Sequence, residues 1–272
     1  MTVPHTWALS FVRERAQLYD YEQLQHFCQQ LAEHDCYLAL DIEIGFTALW
    51  QKYHASAQPK ARRGSSVSNL KAGVSENLLY ALRTYCQQRQ ELFTFQLYAM
   101  ATSDLLRGMT CLVTLAPTEG YILLSVDAER FFYGAPPGLA KYRYWSDLLR
   151  ITYQCWHPLY IHTFNHAGPA EVNPTWEQVQ ACELLLLSEF GMLGPELVTK
   201  LGGEEHFLSA PAWKIERLDD GGMFLVPEPP SYVKTSIDCS YSAVARHLGF
   251  TTAEAAPDEV FVVADDSGSK QE

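Results

Sequence analysis

Residues 173–230 carry a start or stop signal at almost every junction, and that punctuation constrains the fold more than any other stretch of the chain. Asn173 is a good N-cap, and Pro174 follows at a position where a helix can spare an N–H. Trp176, Val179, Cys182 or Glu183, Leu186 and Phe190 recur at helical spacing, which predicts a helix that runs up to Gly191. Leu184, Leu185 and Leu187 widen its apolar stripe, so such a helix has to be buried on most sides. Gly194-Pro195-Glu196 opens a second, shorter helix through Leu197, Val198 and Leu201, and Gly202-Gly203 ends it. After Pro211 the period changes to two, with Trp213, Ile215 and Leu218 set against Lys214, Glu216 and Arg217. Asp219-Asp220-Gly221-Gly222 reads as a turn and 223–226 as the returning strand, closed by Pro227, Pro229 and Pro230. The stretch predicts a buried helix laid on a β-hairpin.

The remainder can be placed around that unit. Leu18, Tyr21, Leu24, Phe27, Cys28 and Leu31 mark an amphipathic helix over 18–31. Residues 36–50 alternate as a strand, with Leu38, Leu40, Ile42, Ile44 and Phe46 on one face and Asp41 and Glu43 on the other. The segment 58–73, with Lys60, Arg62 and Arg63, reads as an exposed basic loop. Ser75 and Glu76 open a helix to about residue 90. Strands follow over 92–100, 109–115 and 121–131, the last two joined as a hairpin through Ala116-Pro117-Thr118-Glu119-Gly120. The break Gly134-Ala135-Pro136-Pro137-Gly138 divides the chain into an N-terminal part, 1–138, and a C-terminal part, 139–264. Within the latter, 144–155 reads as a helix stopped by His157-Pro158, 159–164 as a strand, 240–248 as a helix and 260–264 as an edge strand. A polar tail, 265–272, closes it. Element order gives two similar β-α-β-β halves, in two domains or in one. The class is α+β, a mostly antiparallel sheet with helices packed on one face.

Charge and cysteine usage narrow the setting. A net charge of −12 argues against a general nucleic-acid binder, whose footprint is basic, and suits a basic partner. The seven cysteines are odd in number and form no CxxC pair, which fits reduced thiols in a cytoplasmic protein. The amino terminus shows no charged region followed by an apolar core, and no apolar run approaches a membrane span.

The chemistry-bearing residues are few. His157, His162 and His166 lie within ten residues and could ligate a transition metal, the basis of an alternative reading as a small metal-dependent hydrolase. A strand over 159–164 would, however, split His157 from His162. Cys155 beside His157 suggests a thiol and a base, with nothing in sequence to orient the imidazole. Gly191, Gly194, Gly202 and Gly203 match no phosphate-binding spacing and read as helix stops. No cofactor is expected. The dense aromatic group that includes Tyr142, Tyr144 and Trp145 is either core or a binding surface.

The run Phe190-Gly191-Met192-Leu193-Gly194-Pro195-Glu196-Leu197-Val198, with Leu201-Gly202-Gly203, Ser209-Ala210-Pro211-Ala212 and Leu218-Asp219-Asp220-Gly221-Gly222, resembles the second half of bacterial polymorphic-toxin immunity proteins. The resemblance covers about a quarter of the chain. It implies a non-enzymatic cytoplasmic protein that binds and neutralises a cognate toxin, often through an acidic surface. Asp41, Glu43, Glu204 and Glu205, with Tyr142, Tyr144 and Trp145, are the residues expected to meet such a partner.

Overall fold

A computed structural model describes residues 5–34, 73–98, 110–127, 137–165, 173–183, 187–188, 190–229 and 240–250. The expected strand 36–50 with Asp41 and Glu43, the basic loop residues Lys60, Arg62 and Arg63, His166, Leu186, and the segment 260–272 lie outside the described residues.

The fold is α+β, built on one eight-stranded sheet in which every neighbouring pair is antiparallel. Its strands are β1 (His5–Phe11), β2 (Phe93–Tyr98), β3 (Thr110–Ala116), β4 (Tyr121–Asp127), β5 (Tyr160–Asn165), β6 (Gly191–Leu193), β7 (Lys214–Arg217) and β8 (Met223–Val226). They lie in the order β2-β3-β4-β1-β5-β6-β8-β7. β1 joins the two halves, pairing Leu9 with Leu123 of β4 on one side and with His162 of β5 on the other. The sequence hides this strand for a physical reason. Ala8, Leu9, Ser10 and Phe11 are all buried, so β1 is covered on both faces and shows no polar–apolar alternation.

Alternation along the strands sends side chains to two cores. On one face Ala8, Phe95, Val113, Leu124, Ile161, Met192 and Phe224 meet helices α1 (Tyr21–Glu33), α2 (Glu76–Gln88) and α3 (Pro137–Trp156). Leu24, Phe27, Leu82, Trp145, Leu148 and Trp156 supply their buried stripe. The opposite face carries Leu9, Phe11, Leu123, Tyr160, Leu193 and Leu225. Four short helices cover it: α4 (Trp176–Gln180), α5 (Pro195–Lys200), α6 (Glu204–Leu208) and α7 (Tyr241–Leu248). The one-sided packing expected from sequence therefore describes the three long helices, while the four short ones lie across the sheet from them.

Caps fix the long helices where the sequence places them. The Asp20 carboxylate accepts from the backbone N–H of Glu22 and Gln23 at 3.0 and 3.1 Å, and Ser75 accepts from Leu78 at 3.2 Å. The helix expected over 174–190 is different. Thr175, not Asn173, caps it, with a reciprocal box to Gln178 at 3.2 and 2.8 Å. It ends after one short run at Gln180, followed by Cys182 in a left-handed conformation at φ 56°. Gly191 then begins β6 instead of ending a helix. The two later expectations hold, since Gly194 and Pro195 open α5 and the hairpin pairs Lys214 with Val226 and Arg217 with Met223.

Candidate functional site

The last two turns of α3 face the turn of the β7–β8 hairpin. Arg150, Tyr153, Gln154 and His157 fall three and four residues apart, so they share one side of the helix. Together with Glu216, Arg217, Leu218, Asp219 and Asp220 they line a cleft of about 290 Å³.

Asp220 organises this cleft. Both of its carboxylate oxygens accept from the Tyr153 hydroxyl at 3.0 Å, and one also accepts the Gly222 N–H at 3.0 Å. The His157 Nδ1 atom lies 3.5 Å from the same carboxylate. Burial, and after it the negative Asp220, raises the Tyr153 pKa and keeps that hydroxyl a donor. The turn can come this close only because residue 222 is glycine. A Cβ there would stand 2.1 Å from the Tyr153 hydroxyl and 2.6 Å from the Leu193 carbonyl.

His157 is the conformational outlier of the site, with φ at 41°. The chain must leave α3 and enter β5 within three residues, and Pro158 closes the helical region to the residue before it. A left-handed histidine of this kind costs on the order of 1–2 kcal/mol, and surrounding bonds hold it. Its N–H donates to Tyr153 O at 2.7 Å, and Arg13 Nε donates to its carbonyl at 2.9 Å. Arg13 in turn is ion-paired with Glu196 on α5.

The charges in the cleft are unevenly matched. At one end Glu216 accepts Arg150 at 2.6 Å and Lys214 at 3.3 Å, and the Arg150 bond holds its carboxyl below the usual range. Arg217 pairs away from the cleft with Glu204 at 2.5 Å. At the other end Asp219 is exposed and has no ion pair or hydrogen bond among the described residues. The arrangement offers fixed carboxylate acceptors beside an aromatic wall.

The residues singled out from sequence fall in several places. Glu204 and Glu205 occupy the first turn of α6, where Glu204 meets Arg217 and Glu205 is exposed. Tyr142, Tyr144 and Trp145 are corrected from partner-facing to core. They are buried on α3, and Tyr142 packs on Phe190 and Trp213 with ring centroids 5.3 and 5.7 Å apart.

His157 and His162 are not brought together. His157 is exposed in the cleft, whereas His162 is buried on β5 with Nδ1 3.3 Å from the Tyr160 hydroxyl. Among the described residues no group of three His, Cys, Asp or Glu side chains is placed to hold a metal. Cys155 is not poised as a nucleophile, because burial pushes its thiol up to about 11. Arg13, Arg150, Tyr153, Asp219 and Asp220 were missed as site residues. The Arg150–Tyr153–His157 stripe and the paired carboxylates of the turn are the signals in the sequence that mark them.

No protein-family model matches the chain. No curated protein matches it either. Among solved structures, Pseudomonas aeruginosa T6SS protein PA0821 is similar at 12% identity and a TM-score of 0.44, over 90% of this chain and 75% of that one. A likeness of that depth carries no argument about this chain. Among the described residues no helix is long and apolar enough to cross a membrane.

Proposed function

We propose that this chain is a non-enzymatic, cytoplasmic binding protein of the immunity type, which neutralises a basic bacterial toxin by covering it with an acidic face. The observation that carries the reading is where the negative charge lies. Residues 173–229 hold ten acidic and three basic side chains, so seven of the twelve net negative charges fall in that one stretch. Glu205 on α6 and Asp219 and Asp220 on the hairpin turn are exposed, Glu204 beside them is half-buried, and the Arg217–Glu204 pair ties the two elements into one surface. A field of this sign speeds encounter with a cationic protein and disfavours nucleic acid. The same stretch carries the resemblance to immunity proteins.

The test is protection. The chain is purified from its native host, any co-purifying basic protein is expressed alone in a naive bacterium, and growth is followed with and without this chain. Growth arrest relieved by co-expression, together with an association rate that falls with added salt, is the expected result. A partner that is harmless, or whose binding is indifferent to salt, would remove the reading.

A further inference from the structure

We propose that the cleft between α3 and the β7–β8 turn receives one arginine side chain of the protein partner, with its guanidinium seated on Asp219 and Asp220. The inference rests on the immunity reading and goes further by naming the chemistry of one contact.

The size of the cleft sets the first limit. At about 290 Å³ it lies at the bottom of the range for small-molecule pockets, and it fits one long side chain rather than a cofactor. Charge sets the second. Among the described residues every cation around the cleft is already engaged: Arg150 and Lys214 by Glu216, Arg217 by Glu204, and Arg13 by Glu196 and the His157 carbonyl. The carboxylates of the turn are not balanced in this way. Asp219 has no partner among the described residues, and Asp220 is held by a neutral phenol, a backbone N–H and the edge of the His157 ring. A cation is the complement of that end, and an anion is not.

Geometry selects guanidinium over ammonium. Two adjacent carboxylates beside the Tyr153 and His157 rings, which stand edge to face at 6.2 Å, match a planar fork of N–H donors with an apolar stem. Asp220 is pre-set by Tyr153 and Gly222, so little order has to be gained on binding.

The test uses N-acetyl-arginine amide, titrated into the isotope-labelled full chain and followed by NMR, with N-acetyl-lysine amide and N-acetyl-citrulline amide as comparators. Arginine should shift the Asp220, Gly221 and Gly222 amides and the His157 ring together. Lysine should bind several-fold more weakly, and citrulline should leave these signals unmoved. Asp219→Asn, which breaks no contact within the fold, should weaken the arginine effect several-fold with the rest of the spectrum unchanged. Shifts scattered over the acidic surface, equal effects of lysine or citrulline, or an unaltered response in Asp219→Asn would each overturn the proposal. With the natural partner, Asp219→Lys should lower affinity at least tenfold. Full affinity in that variant sinks the cleft assignment while leaving the immunity reading intact. If no toxin partner exists, that reading fails and the arginine titration still decides the cleft.

Discussion

In the N-terminal half β1 and β4 pair over seven residues and β3 and β4 over six, whereas β6 offers three residues to each of its neighbours. The two regions reach the same sheet by different means. Long ladders repeat one backbone interaction, and their alternation buries two full faces. Short ladders need substitutes. Beyond the last β5–β6 pair, Thr163 Oγ1 donates to Phe190 O and accepts from Phe190 N, both at 2.8 Å. Ser188 adds a bond to Phe190 O at 2.6 Å and accepts the Thr163 N–H at 2.6 Å. Two hydroxyls thus extend the pairing where backbone alone stops. Glycines do the rest, since a Cβ on Gly194 would meet Pro158 O at 2.9 Å. What the difference teaches is where specificity resides. The regular half depends on bulk burial, the irregular half on individual polar atoms, and the cleft lies in the irregular half.

Substitutions can break that comparison, beginning with the largest effect. Phe95→Ala empties a fully buried site on β2 and should cost about 3–5 kcal/mol in denaturant titration. A loss under about 1 kcal/mol would mean that bulk burial does not govern the regular half.

The next effect is one of pH. Burial holds the His162 imidazole down at about 4 from 6.5, opposed only by a hydrogen bond to the Asn173 side chain. The folded state keeps the ring neutral, and the unfolded chain takes up a proton near 6.5. Stability is therefore complete above about 6.5 and is lost as pH falls toward about 4, by roughly 3 kcal/mol in all. His162→Gln should flatten that loss between neutral pH and about pH 5. An equally steep decline in the variant would assign it to other groups.

Smaller effects sharpen the contrast. Ser188→Ala leaves the buried Thr163 N–H without its acceptor and should cost about 1–3 kcal/mol, more than its few methylene-equivalents of burial explain. Gly222→Ala should cost a similar ~1–3 kcal/mol by overpacking and should displace the turn from Tyr153, seen as a loss of the Tyr153–Asp220 contact. Glu204→Gln, at an exposed ion pair with Arg217, should change stability by less than about 1 kcal/mol. A large effect there would make the acidic surface structural.

The same contrast decides what could be read from the sequence. Helices α1 and α2 and the β3–β4 hairpin were legible, because caps such as Asp20 and Ser75 and a period of 3.6 or 2 are local signals. The α+β class followed from them. β6 was not legible, as three residues hold no period and Gly191 also reads as a helix stop. The leucine run before it suits a helix or a buried strand equally. α6 was hidden behind Gly202-Gly203, which ends α5 but also supplies the Gly203 cap of the next helix. Of the site, Glu204 and Glu205 could be placed on the surface. The cleft could not, because Arg13, Tyr153 and Asp220 come from three distant segments that are brought together through the β1–β5, β5–β6 and β6–β8 pairings.

The central claim is that the acidic surface of the C-terminal half binds a basic partner, and association kinetics test it most directly. With the partner immobilised, the account predicts that Glu204→Gln/Glu205→Gln and Asp219→Asn each lower the association rate several-fold at low salt, and that the differences shrink as salt screens the field. Association rates equal to that of the unsubstituted chain at every salt concentration would contradict it.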